Sequence, residues 1–259
     1  MADSNDLFSS SVVLDIEFNG NVVVDQALEG RDCCYDIYYP ERNTSPPPLV
    51  LMVIGFPDYG RKMQAGKGLK DLPPYQSWGK QLASEGMATV IASCADPVAD
   101  LSAILDTLTE QQQSLHLDMS RIAIWSCSGN GPAALGLLAA REDIAAAVFC
   151  YAYLADLGEH QLVARTAQEF GFCNPEGNRD YLASDTPLLI VRAGKDQFEG
   201  LNETMDRYIA ALEAENAQLE VIDYPNGVHG FDLVDSSEQS QEIVKSILAY
   251  LKQQLLASA

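Results

Sequence analysis

The sequence is constrained most by a regular alternation of short apolar runs with amphipathic segments, which extends from residue 49 to residue 256. Runs such as "LVLMVI" (49–54) and "RIAIWS" (121–126) are apolar almost throughout, as in parallel strands that are covered on both faces. Segments such as "LNETMDRYIAALEAENA" (201–217) have the apolar spacing of helices. The alternation predicts an α/β fold with a mostly parallel eight-stranded sheet and helices on both faces.

The remaining elements follow from the same pattern. Apolar runs predict further strands at 87–93, 144–153, 187–194 and 219–225. Helical spacing predicts helices at 75–86, from Asp96 to about Leu115, at 132–142 and at 237–256.

The first 40 residues have a different pattern. Residues 12–28 alternate around Asn19-Gly20, which predicts a hairpin, and 32–40 is then a third strand that makes the start of the sheet antiparallel. Because no linker or repeat divides the chain, it is interpreted as one domain over 1–259. The long interruption at about 154–186 is interpreted as a small lid or insertion.

Charge and composition restrict the partners. Sixteen basic against 37 acidic residues give a net charge of −21, which argues against nucleic acid or an anionic membrane as a partner. The chain shows neither a secretory leader nor an apolar run of the roughly 18 residues that a membrane span needs. Its six scattered cysteines form no CxxC pair, which favours a reducing cytoplasm and no metal site. Assembly into a homo-oligomer is compatible with the sequence.

The turn "SCSGNG" (126–131) joins a predicted strand to a predicted helix and carries the candidate chemistry. Its first interpretation is a dinucleotide site, because residues 129–134 match G-x-G-x-x-A. That motif needs an acidic residue roughly 20 positions further on, at the end of the next strand. Here the next strand ends in "FCY" (149–151), and the first acid beyond it is Asp156. The match is therefore weak.

A second interpretation makes Cys127 the nucleophile of a phosphate-binding loop. Such a loop needs an arginine near its end to bind the oxyanions. Residues 129–138 contain neither arginine nor lysine, which excludes phosphatase chemistry and leaves Cys127 as a small residue packed behind the turn.

The third interpretation makes Ser128 the nucleophile of a sharp strand-to-helix turn. Ser126 and Asn130, two positions away on either side, are small enough to let strand and helix approach closely. The serine hydroxyl then projects beyond the sheet, beside the N–H groups of the helix N-terminus.

A serine nucleophile needs a base and an acid that orients the base, and on this scaffold they follow it in the order acid, then histidine. Asp196 comes directly after the strand at 187–194, and His229 follows the strand at 219–225. Both lie at the carboxyl ends of strands, where open α/β sheets place their sites. Asp232 and Glu199 are alternative acids that lie less well relative to their strands.

Acyl transfer also needs N–H donors for the negatively charged oxygen of the tetrahedral intermediate. One predicted donor is the backbone N–H of Gly129, directly after the nucleophile. The second is the backbone N–H of Phe56, where "GFPDYG" follows the strand at 49–54. No cofactor is needed for this chemistry.

Across nearly the whole chain these motifs resemble the α/β-hydrolase superfamily. The matching stretches are "VLMVIGFPDYG", "RIAIWSCSGNG", "PLLIVRAGKD" and "YPNGVHGFDL". Within the superfamily, "YPNGVHGF" resembles the dienelactone hydrolase-like and prolyl oligopeptidase-like serine esterases. The resemblance implies the same triad of Ser128, Asp196 and His229. The chain departs from the pattern in having Ile54 before the oxyanion glycine, Asn130 in place of the second glycine of the turn, and serine where dienelactone hydrolases have cysteine.

The sequence thus predicts a serine hydrolase, a carboxylesterase of small or medium carboxylic esters that are bound as small-molecule substrates. Aromatic residues that follow the strands or lie near them are the candidates for substrate contact, namely Tyr59, Trp78, Tyr151 and Tyr153. The alternatives are hydrolysis of lactones, thioesters or short peptides, and a non-catalytic protein that binds a small ligand on a hydrolase scaffold.

Overall fold

A computed structural model gives the fold and describes residues 9–41, 45–55, 68–176, 180–215 and 217–256. Eight strands in this part of the chain form one sheet. They are β1 (Asn21–Ala27), β2 (Cys33–Tyr39), β3 (Pro48–Val53), β4 (Ala88–Cys94), β5 (Asp118–Ser128), β6 (Ile144–Ala152), β7 (Leu188–Ala193) and β8 (Leu219–Tyr224).

The strand order across the sheet is β1-β2-β4-β3-β5-β6-β7-β8. Strand β2 pairs antiparallel with β1 and with β4, and the other pairings are parallel. The predicted α/β class and the mostly parallel eight-stranded sheet are therefore confirmed.

Helices connect the strands. They are a 3₁₀ helix (Leu69–Asp71), α1 (Pro73–Ser84), α2 (Pro97–Leu115), α3 (Gly131–Ala140), α4 (Leu162–Phe170), α5 (Leu201–Ala214), the single turn α6 (Phe231–Val234) and α7 (Glu238–Leu256). None of the described helices combines the length and the apolar composition that a bilayer crossing requires.

The core lies on both faces of the central strands. Every residue of β3 and β4 is buried, which is why their sequences are mostly apolar and do not alternate; the polar Thr89 and Ser93 of β4 are buried as well. Helix α2 begins where the sequence predicts it, because the Asp96 side chain accepts a hydrogen bond from the N–H of Ala99 at 3.2 Å. It ends at His116, which adopts the left-handed conformation with φ of +53°.

The predicted hairpin around Asn19-Gly20 is wrong. The described residues from 11 to 20 form no strand; β1 begins at Asn21, and the first hairpin joins β1 to β2. The apolar residues of this segment pack on helices instead: Val12 is buried, and the N–H of Val13 donates to the carbonyl of Asp232 at 2.8 Å. Gly20 is needed for close packing, since a Cβ there would lie 2.0 Å from the carbonyl oxygen of Tyr39.

The segment at about 154–186 contains α4 and otherwise irregular backbone in its described part. The carboxylate of Asp156 accepts hydrogen bonds from the N–H groups of Val163 and Ala164, at 3.0 and 2.8 Å. Asp156 thereby satisfies two of the N–H groups that the first turn of a helix leaves unpaired. The role of this segment as a lid stays a prediction.

Candidate active site

The strand-to-helix turn at the end of β5 holds Ser128 in a strained conformation. Its φ is +55°, which is uncommon for a residue other than glycine, and residues held in such conformations cluster at functional sites. Helix α3 begins three residues later, at Gly131. A Cβ on Gly131 would lie 2.0 Å from the carbonyl oxygen of Tyr153, so this position requires a glycine for the close approach of the neighbouring strand end.

Ser128, His229 and Asp196 form a continuous chain of hydrogen bonds. The Oγ of Ser128 lies 2.8 Å from Nε2 of His229, and Nδ1 of His229 lies 2.6 Å from Oδ2 of Asp196. The other carboxylate oxygen of Asp196 accepts the N–H of Phe198 at 2.9 Å, which fixes the orientation of the carboxylate. With Asp196 as the acceptor, Nδ1 carries the proton, and Nε2 is left to accept the hydrogen of the Ser128 hydroxyl.

Backbone contacts between two loops hold the acid and the histidine in register. The N–H of Gly194 donates to the carbonyl of Tyr224 at 2.8 Å, and the N–H of Lys195 donates to that of Gly227 at 2.8 Å. The loops after β7 and β8, which carry Asp196 and His229, are thereby joined at the carboxyl edge of the sheet.

Two aromatic rings enclose the imidazole of His229. Tyr151 and Phe198 approach it edge-on, with ring centroids 4.8 and 4.5 Å away. His229 is 6% exposed and the Asp196 side chain is fully buried. The imidazole is therefore fixed by packing as well as by hydrogen bonds.

Of the two predicted oxyanion donors, the N–H of Gly129 lies within the described residues. The N–H of Gly129 donates to the carbonyl of Gly55 at 2.9 Å, so the donor is engaged by the protein itself in this conformation. Gly55 packs tightly here, because a Cβ on it would lie 2.8 Å from the Cβ of Ser128. The other predicted donor, Phe56, and the predicted pocket residue Tyr59 lie outside the described residues.

Asn130 has a role that the sequence does not reveal. Its side-chain amide donates to the carbonyl of Ile54 at 2.7 Å, and its carbonyl oxygen accepts the N–H of Cys173 at 3.1 Å. The residue is 2% exposed. Asn130 thereby links the end of β3 to the segment that follows α4.

Trp78 and Tyr151, two of the predicted pocket residues, line a cavity together with Ser128 and His229. Tyr153 does not line it: its hydroxyl donates to the carbonyl of Glu199 at 2.9 Å, and its ring stacks on Phe172 with centroids 5.4 Å apart. Tyr153 instead lines a neighbouring surface groove with Phe198.

Asp232, which the sequence offers only as an alternative acid, has a structural role in the cavity that sequence reasoning does not reveal. Its carboxylate is fully buried and accepts hydrogen bonds from Nε1 of Trp78 at 2.7 Å and from the hydroxyl of Tyr151 at 2.5 Å. Burial raises the pKa of Asp232, although these two hydrogen bonds oppose the rise. It therefore holds the aromatic walls, whereas Asp196 contacts the histidine. Its spacing of three residues from His229 is the one sequence signal that places it nearby.

The thiol of Cys127 also lines the cavity but is chemically unsuited to attack. Burial, with the nearby Asp232 charge, raises the pKa of this thiol well above its usual range. A buried protonated thiol is a weak nucleophile.

One buried group among the described residues has the composition of a metal site. The Sγ atoms of Cys33 and Cys94 lie 3.3 Å apart, and an Asp100 oxygen is within 4.8 Å of both. The Asp100 carboxylate already accepts hydrogen bonds from Arg31 at 2.8 Å and from the N–H of Asp96 at 3.0 Å. These residues lie on and after β2 and β4 and make no described contact with Ser128.

Comparison with known proteins identifies the fold. No protein-family model matches the chain, and no curated protein matches it in sequence. Solved structures do match: a bacterial heroin esterase gives a TM-score of 0.69 at 17% identity, over 94% of this chain and 87% of that one.

Two further esterases match equally broadly. A thermostable carboxylesterase cloned from a metagenomic library gives a TM-score of 0.68 at 15% identity, over 94% of this chain and 92% of its own. An esterase from Pyrobaculum calidifontis gives 0.66 at 17% identity, over 93% and 87%. The chain has the α/β-hydrolase fold that the sequence predicts. Identities at this level establish the fold and leave the activity to be argued from the site.

Proposed function

We propose that the protein is a serine hydrolase, and specifically a carboxylesterase that cleaves small or medium carboxylic esters without a cofactor. The observation that carries the proposal is the hydrogen-bonded chain from Ser128 through His229 to Asp196. A strained serine at a strand-to-helix turn, with a base at 2.8 Å and a buried acid behind the base, is the arrangement that makes a hydroxyl nucleophilic.

In the first half of the reaction, the Oγ of Ser128 forms a bond to the ester carbonyl carbon while its proton passes to Nε2 of His229. The negative charge moves onto the carbonyl oxygen. When that oxygen re-forms its double bond, the bond to the alcohol oxygen breaks, and the alcohol leaves with the proton from His229. The acyl group stays on Ser128.

Water completes the cycle with the same residues. The water oxygen bonds to the acyl carbon while His229 takes a proton from the water. His229 then returns the proton to the Oγ of Ser128 as the carboxylic acid leaves. Asp196 stabilises the positively charged imidazole in both halves and keeps it in one tautomer.

To donate a hydrogen bond to the negatively charged oxygen of the tetrahedral intermediate, the N–H of Gly129 must first be released from the carbonyl of Gly55. Rotation of the peptide that follows Gly55 would free this donor. Removing one such donor from a hydrolase in general slows catalysis by roughly 100-fold to 1,000-fold. The resting contact between Gly129 and Gly55 is therefore one that substrate has to displace.

The fold comparisons support the proposal. The matched structures that are described above are named as esterases, and each covers more than nine-tenths of this chain. Hydrolysis of lactones, thioesters or short peptides would use the same residues and is an alternative substrate class.

An active-site probe tests the proposal directly. A fluorophosphonate should label Ser128, and p-nitrophenyl acetate or butyrate should be hydrolysed. Ser128→Ala should abolish both labelling and turnover. Ser126→Ala is the matched control, because this buried hydroxyl in the same turn has no hydrogen-bond partner among the described residues.

Non-catalytic ligand binding on the same scaffold is the second candidate, and the engaged N–H of Gly129 is the observation that favours it. A folded protein that neither reacts with the probe nor loses any turnover in Ser128→Ala would favour binding over catalysis.

A further inference from the structure

A second carboxylate lies close to the triad, directly after the proposed base in the chain. Asp232 follows His229 by three residues and belongs to the single turn α6. Its side chain is buried, and its two oxygens accept hydrogen bonds from Trp78 and Tyr151. The triad uses only Asp196 as its acid, so no step of the proposed reaction accounts for this second buried carboxylate.

We propose that Asp232 is a positioning residue for His229. Acting through Tyr151, it holds the imidazole towards Ser128, and its negative charge stabilises the positive charge that the imidazole takes up in each half of the reaction. The inference rests on the proposed function and adds a residue to it. It is carried by a closed set of contacts, by a bulge in β6 and by the charges around Asp232.

The side chain of Tyr151 connects Asp232 to the imidazole. Its hydroxyl donates to Oδ1 of Asp232 at 2.5 Å, and its ring lies edge-on to that of His229, with ring centroids 4.8 Å apart. Because His229 and Asp232 are only three residues apart in the chain, the backbone closes these contacts into a loop. The hydrogen bond therefore fixes Tyr151 relative to the backbone that carries the imidazole.

A β-bulge directs Tyr151 towards the base. In the pairing of β5 with β6, Cys127 lies opposite Cys150 and Ser128 lies opposite Ala152, so Tyr151 is the extra residue that the register skips. Its φ is +36°, which is a genuine outlier for a bulky side chain. Bulges beside active sites re-aim a side chain, and such strain persists only where the surroundings fix it. The strained backbone indicates a functional constraint on where this ring lies.

The hydrogen bonds of Asp232 are those of an ionised carboxylate. An O–H and an N–H donate to its two oxygens, and an ionised carboxylate is purely an acceptor. Burial raises the pKa of Asp232, while its hydrogen bonds and a positive charge on His229 oppose the rise. The interaction of two charges is mutual, so an ionised Asp232 favours the protonated imidazole.

The other described groups around Asp232 do not balance its charge. The titratable groups that face it are the hydroxyl of Tyr151, the thiols of Cys127 and Cys150, and the imidazole of His229. Burial raises the pKa of the hydroxyl and of both thiols well above their usual ranges, so these three are uncharged at neutral pH. Helix α1 and the segment before β1 contribute only an indole and a backbone N–H. Within this described group, the positive charge that Asp232 can stabilise is that of His229.

The rate at which a fluorophosphonate labels Ser128, measured against pH, tests the inference without any choice of ester. The rate falls on the acid side as the imidazole takes up a proton. Asp232→Asn removes the charge and keeps the shape, because the amide oxygen accepts from Trp78 and the amide nitrogen donates to the hydroxyl of Tyr151.

The midpoint of the acid side should move to lower pH in Asp232→Asn, by roughly 0.3–1 pH unit, since a directly adjacent opposite charge shifts a titration by about 1–3 units and Asp232 acts from behind a ring. A purely structural role for Asp232 would lower stability and leave the midpoint in place. A folded Asp232→Asn with an unmoved midpoint overturns the inference, whatever its plateau rate.

Tyr151→Phe tests the link with the charge left in place. The ring keeps its contact with the imidazole but loses the hydrogen bond that fixes it. The kcat for p-nitrophenyl acetate should fall several-fold with little change in KM, as expected when an interaction made in the transition state is weakened. An unchanged kcat in Tyr151→Phe overturns the inference even if Asp232→Asn does not fold.

Asp235→Asn is the matched control. Asp235 accepts the hydroxyl of Tyr224 at 2.5 Å, so this pair has the same chemistry and the same length, and neither residue is among those that line the cavity beside Ser128. The control should change neither kcat nor the midpoint. A shift of the same size in Asp235→Asn would make the effect one of net charge and would also overturn the inference.

The outcomes separate the inference from the proposed function. Labelling of Ser128 with an unmoved midpoint in Asp232→Asn contradicts the role of Asp232 and keeps the hydrolase. Absence of both labelling and turnover in the unsubstituted protein contradicts the hydrolase itself.

Discussion

Asn130 lies two residues beyond the proposed nucleophile, and its side-chain amide donates a hydrogen bond to the carbonyl of Ile54 at 2.7 Å. The same side chain accepts the N–H of Cys173. Together with the hydrogen bond from Gly129 to Gly55, this contact holds the end of β3 against the turn that carries Ser128. The residue that departs from the usual glycine of the turn thus fixes the end of β3, directly before the segment in which the second oxyanion donor is predicted.

Substitution of Asn130 by aspartate should therefore lower both stability and activity. The carboxylate cannot donate to Ile54 and would face a carbonyl oxygen in a buried site. Loss of a buried hydrogen bond of this kind costs about 1–3 kcal/mol of unfolding free energy, measurable by urea denaturation. The kcat for p-nitrophenyl acetate should fall as well. An Asn130→Asp variant with unchanged stability and kcat would remove this residue from any positioning role.

Replacement of Asp196 by asparagine should reduce kcat by roughly a thousandfold to ten-thousandfold, because the imidazole would lose the acceptor that holds its tautomer. Glu199→Gln is the control: this exposed residue is one of the two alternative acids that the sequence offers, and its described hydrogen bond is accepted by its backbone carbonyl, from the hydroxyl of Tyr153. The reverse result, with Glu199→Gln impaired and Asp196→Asn active, would reassign the acid.

Gly55→Ala should impair catalysis more than it impairs stability. A Cβ at this position would lie 2.6 Å from the carbonyl oxygen of Cys127 and 2.8 Å from the Cβ of Ser128, so the turn would have to shift. Overpacking of this kind costs about 1–3 kcal/mol. Gly30→Ala is the comparison, since Gly30 has a φ of +74° and a Cβ added to it would have no described atom within 4 Å. It should lower stability through backbone strain and leave kcat/KM unchanged.

The pH dependence of stability should report the buried carboxyl of Asp232. Burial raises its pKa, so the folded protein holds the proton more tightly than the unfolded chain does. Its contribution is complete below about pH 4, the range of an unfolded carboxyl, and is lost as the pH rises through the raised folded pKa. The unfolding free energy of the protein relative to Asp232→Asn should thus fall with rising pH, by at most about 1.4 kcal/mol per pH unit.

Asp235→Asn is the comparison, because the pKa of Asp235 is shifted in the opposite direction to that of Asp232. Burial acts to raise the Asp235 pKa, but hydrogen bonds from Tyr224 and Ser237 outweigh it, and the pKa is lowered. Its contribution is present above the unfolded carboxyl pKa and is lost as the pH falls through the folded value. If plots of unfolding free energy against pH are parallel for the protein and for Asp232→Asn between pH 4 and pH 7, the assignment of a raised pKa to Asp232 is contradicted.

The sequence predicts the strands of the sheet well where the strands are fully buried. Fully buried strands such as β3 and β4 are mostly apolar and do not alternate, and the cap at Asp96 sets the start of α2. The alternation around Asn19-Gly20 predicts a strand pair wrongly, because the apolar residues around Val12 bury against helices without strand pairing, which periodicity alone does not distinguish.

At the site, the chain order of Ser128, Asp196 and His229 is visible in the sequence because each residue follows a strand. The contacts of Asn130 and Asp232 are not visible there. They depend on which side chains from distant segments meet, such as Cys173 with the turn and Trp78 with Asp232. Such packing is set by the tertiary structure and has no local sequence pattern.

The most direct test of the proposed mechanism is to trap the acyl-enzyme. The protein is mixed rapidly with p-nitrophenyl acetate, quenched in acid and digested, and the peptides are examined by mass spectrometry. The mechanism predicts a single acetyl group on Ser128, formed with a burst of p-nitrophenol and absent from Ser128→Ala. Steady hydrolysis with no acetyl group on Ser128, or with the acetyl group on another residue, would contradict it.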